Sequence, residues 1–166
     1  LKLKDLISEF AYRRYLVPFN AEGGFYNESV FFINNLPFSS IEDYHSYLNW
    51  LPSYLEYINY REDLMLEGIS NDILPPKLIV ENNIELMKPW INSDFEEHPL
   101  MAPFKSMPNS ISAEKAEELK SSANALLQNN IIPTFQSLYT FTKSRYLNAC
   151  PKEVGISNIP NGKEYY

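Results

Sequence analysis

Few residues in this sequence have the type and spacing to do chemistry. Glu96-Glu97-His98 puts two carboxylates beside an imidazole, a combination able to hold a metal or move a proton. Adjacent side chains diverge on any regular element, however, and the run lies in a stretch holding Pro89, Pro99, Pro103 and Pro108. The expectation there is a solvated loop. His45 and His98 are the only histidines, too few by themselves for a three-ligand catalytic zinc site. Tyr44, Tyr47, Tyr54, Tyr57 and Tyr60 could line a sugar or peptide cleft, each ring offering an apolar face and a hydroxyl. Tyr47 and Tyr54 share a helix face only if Pro52 does not reset the phase. Otherwise these rings read as half-buried packing.

Other chemistries fail for want of a partner. Cys150 precedes Pro151 with no histidine near it in sequence, and a thiol nucleophile needs a base, so Cys150 reads as structural. As the one cysteine it also excludes an intramolecular disulfide. No Gly-x-Ser-x-Gly elbow, Walker loop, dinucleotide fingerprint or His-Glu-x-x-His is present. Asn27-Glu28-Ser29 fits a glycosylation sequon, a pattern frequent by chance. Glu56, Arg61, Glu62, Asp63 and Glu67 read as the solvated face of a helix, or an acidic surface turned to another domain.

The elements that must position these residues are mostly helical. Leu3, Leu6, Ile7, Phe10 and Leu16 predict a helix over residues 1–16, ended by Pro18. Residues 19–37 carry Gly23-Gly24 and a Phe-rich run, read as an irregular loop or a short strand pair. Ser40 with Asp43 three residues on forms a capping-box variant, starting a helix from Ile41 to about Trp50. Pro52 should break it or open a second helix. Leu48, Leu51, Leu55, Ile58 and Met65 keep helical spacing up to Gly68, a candidate end cap. Pro75-Pro76 opens the next helix, with Val80, Ile84, Met87 and Ile91 as its buried face. Residues 92–111 read as a linker or loop. Ser112 caps a helix through Ala116, Leu119, Ala123, Leu126 and Leu127, which Pro133 should kink or split. Phe135, Leu138, Tyr139, Thr142 and Tyr146 continue the stripe to Pro151. The predicted fold class is mainly α, an irregular helical bundle with long Pro-rich loops and room for one short strand pair or hairpin.

Composition narrows the function classes. With 166 residues, the chain is the size of one domain. Aromatics reach 14%, more than a disordered chain carries, so a packed core is expected. The formal net charge of −7 argues against nucleic-acid binding and against a polybasic membrane anchor. No apolar run approaches the roughly 20 residues of a membrane-spanning helix.

Four segments together carry a resemblance. They are Phe38-Ser39-Ser40-Ile41-Glu42-Asp43-Tyr44 with Tyr47-Leu48, then Tyr57-Ile58 through Glu67-Gly68-Ile69, then Leu74-Pro75-Pro76. The most specific is Val154-Gly155-Ile156 followed by Ile159-Pro160-Asn161-Gly162-Lys163-Glu164-Tyr165-Tyr166. In order and spacing they resemble the bacterial domain-of-unknown-function family 885. The resemblance covers most of the chain and is weakest before about Phe25. It implies the N-terminal portion of a larger, mainly helical, metallopeptidase-like protein. The implied location is the periplasm, or the outer membrane as an anchored lipoprotein. The family's His-Glu and Gly-His-His metal motif lies downstream of the Gly-x-x-Tyr-Tyr block. No metal ligand therefore carries over to this chain, and zinc belongs to the full-length protein. The implied partners are the remaining C-terminal half of the same protein and a peptide substrate. One departure is Trp50-Leu51 where the family pattern has Arg-Leu, so Trp50 is expected to pack in place of an ion pair.

The tail block has the properties of a cleft element. Asn161-Gly162 supplies a tight turn. An extended Tyr165-Tyr166 segment sends one ring inward and one outward, and an inward hydroxyl could donate to a substrate carbonyl oxygen. Asn161, Gly162, Tyr165 and Tyr166 are therefore the expected substrate-cleft residues, with no catalytic or metal residue in the chain. Residues 1–166 are expected to form a single helical domain, the N-terminal fragment of a longer protein. The reading from a different class is a stand-alone, non-catalytic helical binding module.

Overall fold

Side-chain periodicity builds this chain almost entirely from helices, and a computed structural model describes residues 10–11, 13–92 and 94–152. The architecture is mainly α and, among the described residues, has one two-residue strand pair, Phe19–Asn20 against Gly23–Gly24, antiparallel with Phe19 opposite Gly24. The principal helices are Phe25–Ile33, Ile41–Ser70, Lys77–Leu86, Ala113–Leu126 and Ile132–Phe141. None of the described helices is long and apolar enough to cross a membrane.

Several expectations stand corrected. The Phe-rich run after Gly24 is a helix, because Phe25, Tyr26, Ser29 and Ile33, its buried positions, recur at helical and not alternating spacing. Pro52 neither breaks nor restarts the next helix, which runs unbroken from Ile41 to Ser70. An interior proline costs a helix about 3 kcal/mol. Burial of Leu48, Leu51, Leu55, Ile58 and Met65 along one face offsets that cost. The start follows the expected capping box. Ser40 Oγ accepts the Asp43 N–H at 3.3 Å, and the Asp43 carboxylate accepts the Ser40 N–H at 2.8 Å.

At the far end the cap is Asp72, not Gly68. Asp72 takes the left-handed conformation at φ 55°, the Ile73 N–H donates to the Gly68 carbonyl at 2.9 Å, and the Asp72 N–H to the Ile69 carbonyl at 3.4 Å. This is a Schellman closure. Gly68 serves packing instead: a Cβ there would lie 2.9 Å from the Ile73 carbonyl oxygen and 3.3 Å from that of Leu16.

Residues 92–111 are not a linker. They fold into a short 3-10 turn, Pro99–Met101, and a helical turn, Ala102–Lys105, which bury Leu100, Met101 and Phe104. Ser112 caps the following helix as expected, its Oγ accepting the Lys115 N–H at 3.3 Å. Pro133 does not split the chain. A turn of π-helix, Leu127–Ile131, precedes it, and a second, Thr142–Tyr146, follows the Ile132–Phe141 helix. Of the residues 1–16 helix, only Phe10 and Ala11 are described as helical, Arg14–Leu16 forms a 3-10 turn, and residues 1–9 lie outside the described residues.

The chain divides into two compact units. Of the described residues, one comprises residues 10–11, 13–25, 60–86 and 140–152. In it the helix Lys77–Leu86 packs on both strands and on the Thr142–Tyr146 turn. Asn83, fully buried, clamps the strand turn through its Nδ2 donating to the Asn20 carbonyl at 2.9 Å. The other comprises residues 26–59 and 87–139. Its core is aromatic: Trp90 stacks on Phe135 at 4.9 Å and meets Tyr26 edge-on at 5.6 Å.

Candidate functional site

The second unit holds a groove of about 330 Å³ lined by Phe32, Leu36, Pro37, Phe38, Asp43, Ser46, Tyr47 and Trp50. Its walls follow from local structure. The helix Phe25–Ile33 buries Tyr26, Ser29 and Ile33, so the opposite face turns Phe31 and Phe32 outward, 77% and 56% exposed. Leu36 then closes the helix end, its N–H donating to the Ile33 carbonyl at 3.1 Å. Phe38 packs edge-on against Tyr47 at 5.4 Å and tilted against Tyr44 at 5.1 Å.

On the facing helix the unbroken passage through Pro52 keeps the rings in phase. Tyr47, Trp50, Tyr54 and Tyr57 stack in succession, with centroids 5.7, 4.9 and 6.3 Å apart. Trp50 packs as expected, half-buried between Tyr47 and Tyr54. The buried tyrosines are anchored through their hydroxyls. Tyr47 donates to the Leu100 carbonyl at 2.8 Å, Tyr44 to that of Pro103 at 3.1 Å, and Tyr54 to that of Tyr26 at 3.1 Å. Burial pushes the Tyr47 and Tyr54 phenols up, so both remain protonated. They hold the wall in place and are not acids or bases near neutral pH.

Among the described residues, Asp43 is the charged residue that lines the groove. Its carboxyl lies below the ordinary value because it accepts the backbone N–H of Ser39 and then that of Ser40. The groove therefore offers aromatic surface with a fixed negative charge at its helix-cap end. That suits an apolar side chain better than an anion.

The Glu96-Glu97-His98 run separates in the way adjacent residues must. Glu96 and Glu97 are exposed, but His98 is fully buried, correcting the solvated-loop expectation. Its Nδ1 accepts the Leu100 N–H at 3.2 Å and its Nε2 lies 3.1 Å from the Trp90 carbonyl oxygen. Burial lowers its pKa to about 4. A neutral imidazole with both nitrogens engaged is a core element and has no free position for a ligand.

Cys150 is buried as expected of a structural thiol. It donates to the Tyr146 carbonyl at 3.2 Å, and burial pushes its pKa up to about 12. In the sequon, Asn27 is half-buried, and Ser29 is buried with its hydroxyl donating to that of Tyr54 at 2.9 Å. The charged helix face is only partly solvated: Arg61 and Glu62 are half-buried. Asn161, Gly162, Tyr165 and Tyr166, the expected cleft residues, lie outside the described residues.

Among the described residues, no three His, Cys, Asp or Glu side chains gather where they could hold a metal ion. The groove residues Phe32, Leu36, Pro37 and Phe38 escaped the sequence reading. Only Phe32 carried a signal, as an apolar residue left on the outer face once Phe25–Ile33 is read as a helix; Leu36, Pro37 and Phe38 lie beyond that helix.

Compared with known families, residues 3–166 match the model described as "Bacterial protein of unknown function (DUF885)". No curated protein and no solved structure matches the chain.

Proposed function

Since the chain belongs to this bacterial family of unknown function over residues 3–166, we propose that it is the N-terminal helical portion of an exported metallopeptidase-like protein. In this reading it supplies a substrate-binding wall and no catalysis. The carrying observation is the aromatic groove between Phe32 and Trp50. Its volume of about 330 Å³ is at the small end for ligand sites, enough for one or two side chains of an extended peptide. Phe31 and Phe32, strongly exposed, support a surface covered by further protein, here the C-terminal half. Zinc in the whole protein would act as a Lewis acid and lower the pKa of a bound water. The described residues do not fit that ion, so no hydrolytic step is assigned to them. Their task is to bind and orient. The periplasmic or lipid-anchored location belongs to the same proposal.

The test is a titration of the purified chain with short peptides carrying Phe or Leu, read by isothermal titration calorimetry, alongside Trp50→Ala. Saturable binding of the apolar peptides, lost in the variant, supports the wall. Binding unchanged by Trp50→Ala removes it. Stoichiometric zinc binding with peptide turnover by this chain alone would overturn the division of labour. A monomer that melts cooperatively, binds no hydrophobic dye and makes no complex with the C-terminal half would favour a stand-alone binding module.

A further inference from the structure

One oxygen of the carboxylate in the aromatic groove is free. Asp43 Oδ2 accepts the Ser39 N–H at 2.9 Å, the Ser39 hydroxyl at 3.1 Å and the Ser40 N–H at 2.8 Å. Among the described residues nothing donates to its Oδ1, and no lysine or arginine pairs with it. The Ser39 and Ser40 N–H groups hold its pKa below the ordinary value, so the carboxylate is ionised at neutral pH. A free carboxylate oxygen gains most from a charged donor.

The helix Ile41–Ser70 sets where that oxygen lies relative to the rings. Asp43, Ser46, Tyr47 and Trp50 line the groove and recur at steps of three and four, so they share one helix face. Asp43 sits in the first turn and Trp50 two turns on, roughly 10 Å along the axis. Phe32 and Phe38 add rings from the preceding segment. The groove is charged at one end and aromatic at the other. The positive end of the helix dipole does not cancel this charge. Glu42 joins Asp43 in the first turn, and two carboxylates outweigh about half a positive charge.

We infer that this groove selects peptides carrying an apolar side chain and, two residues away, a basic one. The inference rests on the reading of the groove as a peptide-binding wall, and it names the substrate class. In an extended peptide, side chains two apart point to the same side, about 6.5–7 Å from each other. The apolar side chain packs against Trp50. The methylene stem of a lysine spans the remaining distance along the rings and brings its ammonium to Asp43 Oδ1. An ammonium is a compact point charge and needs only the one oxygen that Asp43 has to give. An acidic residue in the same place meets a like charge.

The experiment is a calorimetric titration of the whole chain with terminally blocked tripeptides. Phe-Ala-Lys and Lys-Ala-Phe cover the two chain directions. Each is compared with the same peptide carrying norleucine or glutamate in place of lysine, and Phe-Lys-Ala keeps the charge but not the spacing. One lysine peptide should bind about threefold to fivefold tighter than its norleucine counterpart, the gain of an exposed ion pair. The glutamate peptide should bind more weakly than either. Raised salt should shrink the lysine gain on the parent chain. Asp43→Asn keeps an acceptor for the Ser39 and Ser40 N–H groups and should make the lysine and norleucine peptides equal. Equal binding of those peptides by the parent chain overturns the inference and leaves the wall standing. No saturable binding of any peptide overturns the wall and the inference with it. A lysine gain as large in Phe-Lys-Ala, or one that survives in Asp43→Asn, belongs to the chain's net charge of −7 and also overturns the inference.

Discussion

The Tyr47 hydroxyl donates to the Leu100 carbonyl oxygen at 2.8 Å, joining a groove-lining ring to the turn that encloses His98. Tyr47→Phe would leave that carbonyl unpartnered in a buried setting. The expected cost is about 1–2 kcal/mol, read from urea unfolding. Because the ring is kept, peptide binding in the groove should fall less than stability does. A variant as stable as the parent would mean that another donor reaches Leu100.

His98 should make the protein acid-sensitive. Its folded pKa, about 4, lies below the ordinary 6.5. Between those values the unfolded chain binds more protons than the folded one. Its contribution is therefore complete above about pH 6.5 and is lost as pH falls toward 4. The upper bound is about 3 kcal/mol. His98→Asn keeps an acceptor for the Leu100 N–H but cannot titrate. Unfolding curves at several pH values should show this limb flattened in the variant, and an unchanged limb would assign the acid loss to other groups.

The end of the long helix gives a paired prediction. Gly68→Ala places a Cβ 2.9 Å from the Ile73 carbonyl oxygen, so backbone must shift, at a cost of about 1–3 kcal/mol. Asp72→Gly relieves a left-handed aspartate at φ 55° and should be neutral or stabilising by about 0.5–1 kcal/mol. Thermal melts of the two variants should move in opposite directions. If Gly68→Ala is silent, the close approach is not a constraint.

Cys150, with a pKa raised to about 12, should be inert to a thiol reagent at pH 8 while the protein is folded. Adding urea past the midpoint should release it. Fast labelling of the native protein would contradict the burial of this thiol.

Much of the fold was legible because one-dimensional signals carried it. Ser40 with Asp43 and Ser112 with Lys115 cap where local chemistry says they should. The apolar series from Leu48 to Met65 is buried as its spacing requires. What stayed hidden was decided by long-range packing. Pro52 reads as a breaker from its own covalent geometry, and only the burial of Leu51 and Leu55 beside it overrides that. His98 sits among charged neighbours and before a proline, and nothing local announces the Trp90 carbonyl it meets. The groove as a whole was invisible for the same reason: its rings come from two helices and the segment between them, which the sequence does not pack together. Arg61 looked solvated because its place over Phe25 depends on a fold that brings residues 36 positions apart together.

The π-turn at Leu127–Ile131 sets the phase of everything packed beyond it in its unit. Leu119, Ala123, Leu127, Ile131 and Phe135 are all buried at strict steps of four. On an ideal α-helix each such step drifts about 40°, so the stripe would wind off the core within a few turns. The wide turn takes up the excess and returns Phe135 to face Trp90. It behaves as a one-residue insertion that the fold has absorbed. Removing a single residue there would restore regular winding and swing Phe135 and Leu138 by roughly 100°. This segment should therefore tolerate substitution on its outer face, at Gln128, Asn129 and Asn130, far better than any change in its length.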